Sequence, residues 1–555
     1  MPPFLQSLGI ATAVLALVIW LLHRPKSRPE GQTQKHEIQA TPNPLIEKLM
    51  ANLPRRVLLP HRDVDLFQRA ISTYYAAQEC DVPQSAIVQP CDTVEVSEAI
   101  KVIKAEFDRT GSNPDSDQVT FAVRGGGQTT LARAASAERG VLIDLTHLRE
   151  VTVADDRESV TIGPGARWVE VTQVLDDMGL GIVGGRSCDV GVAGFTLGGK
   201  HRQSAIFTLA PLTSKLGGIS FFTPRYGLAC SNTISYEVVL ASGEIVTATA
   251  TSHSDLWRAL KGGSNNFGIV TRFTMRCFPN SKIWGGHIYA PKSQSTKGLM
   301  LLHENLKLMD PSISGKKVDP YASGPIACLG YVQTLGIWLF SVHLAYTDVS
   351  KESTELNKRP AFWENSGFLN LWRYWNNLKV RTVSSAIIQI GSGTFSGKRN
   401  SFGTTTIKND INTIIGARDI FEAAKGSFLK VKGIFWGMIM QPLLPSWVGK
   451  GDPNMAGIHE NEESLIIVSL SVSWVEAKDD ELVYKVIREI LDQVDDIAAT
   501  NGAGHLYRYI NYCEKWQKPL EGYGQDNLQF LRSVSKVYDP DGLFQKGCTG
   551  GFKLG

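Results

Sequence analysis

What this chain of 555 residues lacks narrows its chemistry first. Its eight cysteines, Cys80, Cys91, Cys188, Cys230, Cys277, Cys328, Cys513 and Cys548, form no CxxC pair and no histidine-cysteine cluster at zinc spacing, which argues against a structural metal. No N-x-S/T glycosylation acceptor occurs anywhere, which leans towards the cytosol. Basic surplus is also missing: 57 Lys and Arg against 54 Asp and Glu leave a net charge of +3, too little to follow a nucleic-acid backbone. There is no internal repeat and no low-complexity tract. The length rules out one hydrophobic core, so two domains plus appendages are expected.

Charge is missing locally too. FLQSLGIATAVLALVIWLL, Phe4 to Leu22, is about the length that spans a bilayer core. No basic residue precedes it, no A-x-A cleavage pattern follows, and Arg24, Lys26 and Arg28 come directly after it. The pattern predicts a retained single-pass anchor with the body of the protein in the cytosol; the alternative is a cleaved signal and a secreted protein. Residues 23–59 are expected to link the anchor to the body.

The body predicts an α+β fold. Residues 60–280 alternate short strand-like runs with glycine turns: VTFAVRGGG and GVLIDL read as strands, and ARWVEVTQVLDDM carries Trp168, Val171, Val174 and Leu175 near helical spacing. Residues 281–500 change character. IWLFSVHLAY (337–346) and LIIVSLSVSW (465–474) read as long strands, and Leu482, Val483, Val486, Ile487, Ile490, Leu491, Val494 and Ile497 line one helix face. A substrate domain of sheet covered by helices is indicated. The aromatic run FLNLWRYW (368–375) reads as an apolar helix face or a pocket wall.

Three consecutive glycines after a strand, as in FAVRGGGQTT (121–130), let several N–H groups converge without side-chain obstruction, which suits a diphosphate. Tight turns use the same pattern. The glycine run is followed by VLIDLTHL (141–148), GPGARWVEV (163–171), GGRSCDVGVAGFTLGG (184–199), GGISFFTPRYGLACSN (217–232) and SDLWRALKGGSNNFGIVTRF (254–273). At the C-terminus stand YRYINYCEKW (507–516), YGQDNLQFLRSVSKVYDPDGLF (523–544) and GGFKL. In this order and spacing the motifs resemble the vanillyl-alcohol oxidase and p-cresol methylhydroxylase flavoprotein superfamily, and within it the fungal berberine-bridge-enzyme-like oxidases.

The resemblance implies a two-subdomain FAD-binding domain over 60–280, a substrate domain of antiparallel sheet over 281–500, and a segment over 501–555 that returns to the flavin. It implies that Arg124, Gly125, Gly126, Gly127, Gln128 and Thr129 wrap the FAD pyrophosphate and that Asp144 ends a neighbouring strand. Gly185, Val190, Gly191, Gly194, Gly198, Gly199 and Gly218 would run along isoalloxazine and diphosphate, with Gly268, Ile269 and Val270 on the adenine side and Tyr509 and Asn511 facing the flavin. Relatives usually carry, after the glycine run, a histidine bonded to the flavin; Gln128 stands there and cannot form that bond. FAD is therefore expected to bind without the histidyl link, and Cys188 is expected to be an ordinary buried thiol. The implied reaction is oxidation of a small, lipophilic secondary metabolite by hydride transfer to flavin, with molecular oxygen as acceptor. Tyr509 is the leading base candidate, with Tyr512 and His505 behind it, and a tyrosine needs a cation such as Arg508 or Lys515 to serve near neutrality. A valine at Val190 points to an oxidase. The alternatives are a dehydrogenase using another acceptor and an inactive, tethered binding relative.

One departure interrupts the pattern. Relatives read TLGGGISFF without a break, whereas here eighteen residues, Lys200 to Gly217, divide TLGG from GISFF. Gly199-Lys200 can be encoded GGT-AAG, Leu212-Thr213 as CTNAC and Leu216-Gly217 as CTA-GGT, which are donor, branch-point and acceptor patterns of a short fungal intron. Eighteen codons keep the reading frame. The segment is expected to be an unspliced intron; the alternative is a genuine surface loop.

Overall fold

The computed structural model describes residues 43–111, 119–198, 218–280, 282–315, 318–348, 359–391, 397–459 and 462–555. Among them no helix is long and apolar enough to cross a membrane. The anchor expected at Phe4 to Leu22 lies outside the described residues, as do Gly199 and the segment 200–217.

The linker expected over 23–59 ends sooner than its composition suggests. Pro44–Asn52 is a helix capped by the Asn43 side chain, which accepts from the Leu45 N–H at 3.0 Å. Leu45 and Leu49 pack into the core beneath helix Thr93–Thr110, and Val57–Leu58 pairs with Ala86–Val88. With Leu53, Val57 and Leu59 in the same core, the apolar residues of this stretch fold it onto a neighbour the local sequence does not reveal.

Two sheets build the first domain. Val57–Leu58, Ala86–Val88, Val141–Asp144 and Phe121–Arg124 lie in that spatial order, the last three mutually parallel, so Arg124 and Asp144 end their strands side by side. A six-stranded antiparallel sheet is centred on Ile269–Pro279. Helix Trp168–Asp177 buries Trp168, Val171 and Leu175 as its spacing predicts, with Val174 on the outer side.

The second domain is one nine-stranded antiparallel sheet. Helices Ser295–Met309, Ile411–Ala423 and Asp480–Thr500 cover one face through Leu302, Ile414, Val486, Ile487 and Ile490. The expected strands Ile337–Tyr346 and Leu465–Trp474 lie in this sheet. Its opposite face meets the first domain, where Ile283, Phe402, Leu443 and Ile467 share a core with Trp168, Phe195 and Tyr509.

FLNLWRYW does not form the expected α-helix. Phe368–Asn370 is a single 3-10 turn and Trp375–Asn376 an edge strand. Phe368 and Leu371 are buried, while Trp372 and Tyr374 are exposed. The aromatics divide between inside and outside, so no helical stripe exists. The C-terminal segment returns to the first domain as expected, with the Thr549 N–H donating to the Phe121 carbonyl at 2.7 Å.

Candidate active site

A cleft opens where the strand Phe121–Arg124 ends, with about 740 Å³ of empty space including its open mouth. Gly125, Gly126, Gly127, Gly191, Gly194, Gly268, Ile269 and Val270 line it, as the glycine motifs predict. Gly126 and Gly191 are glycines for a steric reason: a Cβ on Gly126 would stand 2.6 Å from the Gly191 Cα, so two backbones touch with no room for side chains. The N–H groups of Gly126, Gly127 and Gln128 form no hydrogen bond among the described residues. The Gln128 side chain is 3% exposed and its Oε1 has no partner among them. Converging free N–H groups and an unsatisfied buried amide are what a diphosphate-bearing cofactor would complete, so the residues present fit FAD.

Several expected contacts are supports instead. The Arg124 side chain turns inward to a two-pronged ion pair with Asp144, at 3.0 Å and 2.6 Å, and a third bond reaches the Ala70 carbonyl at 2.8 Å. Its guanidinium stacks on Tyr74. Both ionic partners are buried, and their pairing locks together the strand ends that launch the loop. Thr129 is buried and its Oγ1 accepts from the Leu131 N–H. Gly185 packs on the Trp168 ring, Val190 is core, and Gly218 packs on Ala229 and Phe195. Gly198 meets Gly262 at the rim. Cys188 abuts Gly391, across the domain junction. Ser264, Asn265, Ala193, Leu197 and Phe544 also line the cleft. The motif SNNFGIV contained Ser264 and Asn265, but their place emerges only when the loop folds back.

Tyr509 and Tyr512 meet edge to face at 4.4 Å in full burial. Asn511 Nδ2 donates to the Tyr509 oxygen at 3.0 Å, which leaves the phenol proton to be donated elsewhere. His505, a further base candidate, pairs with Glu462 at the sheet margin. Neither expected helper cation pairs with Tyr509: Arg508 pairs with Asp495 at 2.8 Å and Lys515 lies over the Tyr484 ring. Arg186, 2% exposed, takes their place: its Nη2 donates to Gln441 Oε1 at 3.0 Å, and its charge acts on both tyrosines. Burial lowers Arg186 to about 10, so it stays cationic near neutral pH. Burial, then Tyr512, push Tyr509 well above its ordinary value, and the Asn511 bond and Arg186 only partly oppose them. Tyr509 is thus a protonated donor in this structure, and the base role expected for it is not supported by its surroundings.

His287 and His343 are cross-strand partners on the sheet face turned to the first domain, their rings 4.6 Å apart, with His343 stacked on Phe221. Burial, then His287, Arg186 and Arg381, hold His343 neutral. Sequence patterning could not single them out, because they sit in strands that read as core.

A bridge joins cleft and sheet. The Tyr75 N–H donates to the Gly127 carbonyl at 3.0 Å and the Tyr75 hydroxyl to Asn400 Oδ1 at 3.1 Å. Gln78 Nε2 donates to the Thr130 carbonyl at 2.9 Å while its Oε1 accepts from the Asn400 N–H at 3.2 Å.

Residues 84–208 match a family model described as an FAD binding domain. The chain is 32% identical over 499 residues to an FAD-dependent monooxygenase of Emericella nidulans, covering 88% of this chain and 94% of that one. An FAD-dependent monooxygenase of Aspergillus calidoustus is 27% identical across 99% of this chain and 97% of its own. Among solved structures, 6-hydroxy-D-nicotine oxidase from Arthrobacter nicotinovorans superposes with a TM-score of 0.67 at 19% identity, over 88% of this chain and 96% of that one. Berberine bridge enzyme from Eschscholzia californica gives 0.66 at 16%, over 91% and 98%. These two likenesses carry the fold. Sequence relatives, matched domain and cleft agree, and the chain belongs to the family of FAD-dependent oxidoreductases that includes these fungal monooxygenases, built on the vanillyl-alcohol oxidase and berberine-bridge-enzyme fold.

Proposed function

We propose that the chain is an oxidase that binds FAD without a covalent link and removes two electrons from a small lipophilic metabolite, with molecular oxygen as final acceptor. The observation that carries this reading is the glycine-walled cleft, in which the N–H groups of Gly126, Gly127 and Gln128 stand without a hydrogen-bond partner among the described residues. When bound, FAD supplies the hydride acceptor. The chain's own residues orient and exclude: Gly126, Gly127 and Gln128 present N–H groups, Tyr509 offers a hydrogen bond, and Arg186 stabilises negative charge in a site closed to water. Gln128 in place of a histidine supports non-covalent binding. The relatives' monooxygenase names support oxygen as co-substrate.

On sequence grounds alone, Phe4 to Leu22 tethers the body to a membrane, with the body in the cytosol, and suits a lipophilic substrate. The segment 200–217 is read as untranslated in the functional enzyme. Transcripts that retain these codons as the dominant form would refute that.

Purified protein should be yellow, and acid precipitation should leave all the flavin in solution. Colourless protein would refute the FAD reading, and flavin remaining with the pellet would refute the non-covalent one. Turnover with a converted metabolite should consume oxygen; reduction of an added dye without oxygen uptake would identify a dehydrogenase.

A further inference from the structure

On the sheet face turned towards the first domain, one cross-strand row runs His287, His343, Ile326, Gln441, Ile467, Thr406. His287 pairs with His343 and His343 with Ile326. Ile326 precedes Ala327, whose partner is Met440, and so stands beside Gln441. Gln441 pairs with Ile467, and Ile467 with Thr406. Beyond the histidine pair the row alternates polar and apolar.

Its polar members share a second property. His343 Nδ1, Gln441 Nε2 and Thr406 Oγ1 are all buried and all without a hydrogen-bond partner among the described residues. The neighbouring row differs, since Thr404 Oγ1 there bonds the Val468 carbonyl at 3.0 Å and Ser469 Oγ at 3.2 Å. Buried polar atoms are normally satisfied, and three at regular intervals call for a common explanation. Strands lie about 4.8 Å apart, so His343 and Gln441, two strands apart, are separated by about 10 Å, and Gln441 and Thr406 by about 10 Å again. No acid or lysine stands in the row, and His343 is neutral there under the influence of burial, His287, Arg186 and Arg381.

We propose that this row is the substrate rail: His343 and Gln441 hold two oxygen functions of an uncharged, elongated, ring-based molecule whose apolar middle lies on Ile326, and Thr406 extends the rail beyond Ile467 for longer molecules. The Phe221 ring against His343 and the Arg186 bond to Gln441 Oε1 place both anchors at the junction with the cofactor domain. A protonated amine finds no carboxylate in the row and is disfavoured. The proposal rests on the reading of the chain as an FAD enzyme acting on a lipophilic metabolite.

Binding to the flavin-loaded full-length protein tests it without turnover. The probes are 2,6-dihydroxyanthraquinone, oxygenated at both ends, and 2-hydroxyanthraquinone, oxygenated at one, each followed by perturbation of the oxidised flavin spectrum. The two-ended probe should bind about tenfold tighter, the worth of one added hydrogen bond. His343→Leu should abolish that preference, His343→Asn should restore most of it, and Thr406→Val should leave it intact. Flavin content and thermal midpoint report whether each variant is folded. No preference in the wild type, a preference surviving His343→Leu, or one lost only in Thr406→Val would overturn the assignment. Protein that takes up no flavin would instead overturn the functional reading beneath it.

Discussion

Replacing Gly126 by alanine drives a methyl carbon into the backbone of Gly191. The new Cβ would lie 2.6 Å from the Gly191 Cα and 2.7 Å from its nitrogen. Relaxed carbon contacts fall near ~3.5–4.0 Å, so the two loops must separate by about 1 Å. Neither loop ends in a flexible side chain that could swing away, and overpacking of this kind costs about 1–3 kcal/mol. The same displacement moves the Gly126, Gly127 and Gln128 N–H groups off a bound diphosphate. Losing one charge-assisted hydrogen bond, worth about 1.5–3 kcal/mol, weakens FAD roughly ten- to a hundredfold. The assay is titration of apoprotein with FAD by flavin fluorescence, alongside thermal melts of the apo form. Gly426→Ala is the control: nothing lies within 4 Å of its added Cβ, and it should change stability by less than about 0.5 kcal/mol. A Gly126→Ala protein with wild-type FAD affinity would refute the close-approach argument, whatever its melting temperature.

Asp144→Ala strands the buried Arg124 guanidinium and should cost about 3–5 kcal/mol by denaturant titration, with Arg124→Met in the same chain recovering part of it. Glu514 gives a pH signature. Burial raises its carboxyl from 4.5 to about 7, against hydrogen bonds from Ser401 and the Lys515 N–H. Between those values the native state keeps a proton that the unfolded chain has lost, so this group's contribution is full below pH ~4.5 and falls by about 3 kcal/mol as pH rises to ~7. Glu514→Gln should flatten that part of the stability profile and stabilise the protein at neutral pH; an unchanged slope would exclude the assignment.

Legibility in the sequence followed the range of the forces involved. The loop glycines were readable because a backbone approach excludes every other side chain, which writes the constraint at Gly126 and Gly191 themselves. Strands such as Leu465–Trp474 were readable from a Leu/Ile/Val run that passes into alternation of apolar residues with serine. Arg186 was not, since its significance lies in tyrosines from the far end of the chain, and nothing around GGRSCD announces them. Arg508 and Lys515 misled for the converse reason: sequence proximity to Tyr509 suggested an interaction, while nearer partners claimed both side chains. The aromatic run at 368–375 was spaced well enough for a helix, but its members divide: Phe368, Leu369, Leu371 and Trp375 find apolar cover while Trp372 and Tyr374 stay exposed.

The Tyr75 and Gln78 bridge makes cofactor retention a property of the substrate domain. Gly127 and Thr130 on one side and Asn400 on the other are held by the same two residues, Tyr75 through its N–H and hydroxyl and Gln78 through its amide, so an occupant that steadies either end steadies both. Coupling of this kind is reciprocal: an occupant of the sheet that tightens flavin binding by some factor is itself bound tighter by the same factor when flavin is present. Where no covalent link holds the cofactor, as proposed for this chain, the metabolite itself would serve as part of the clasp.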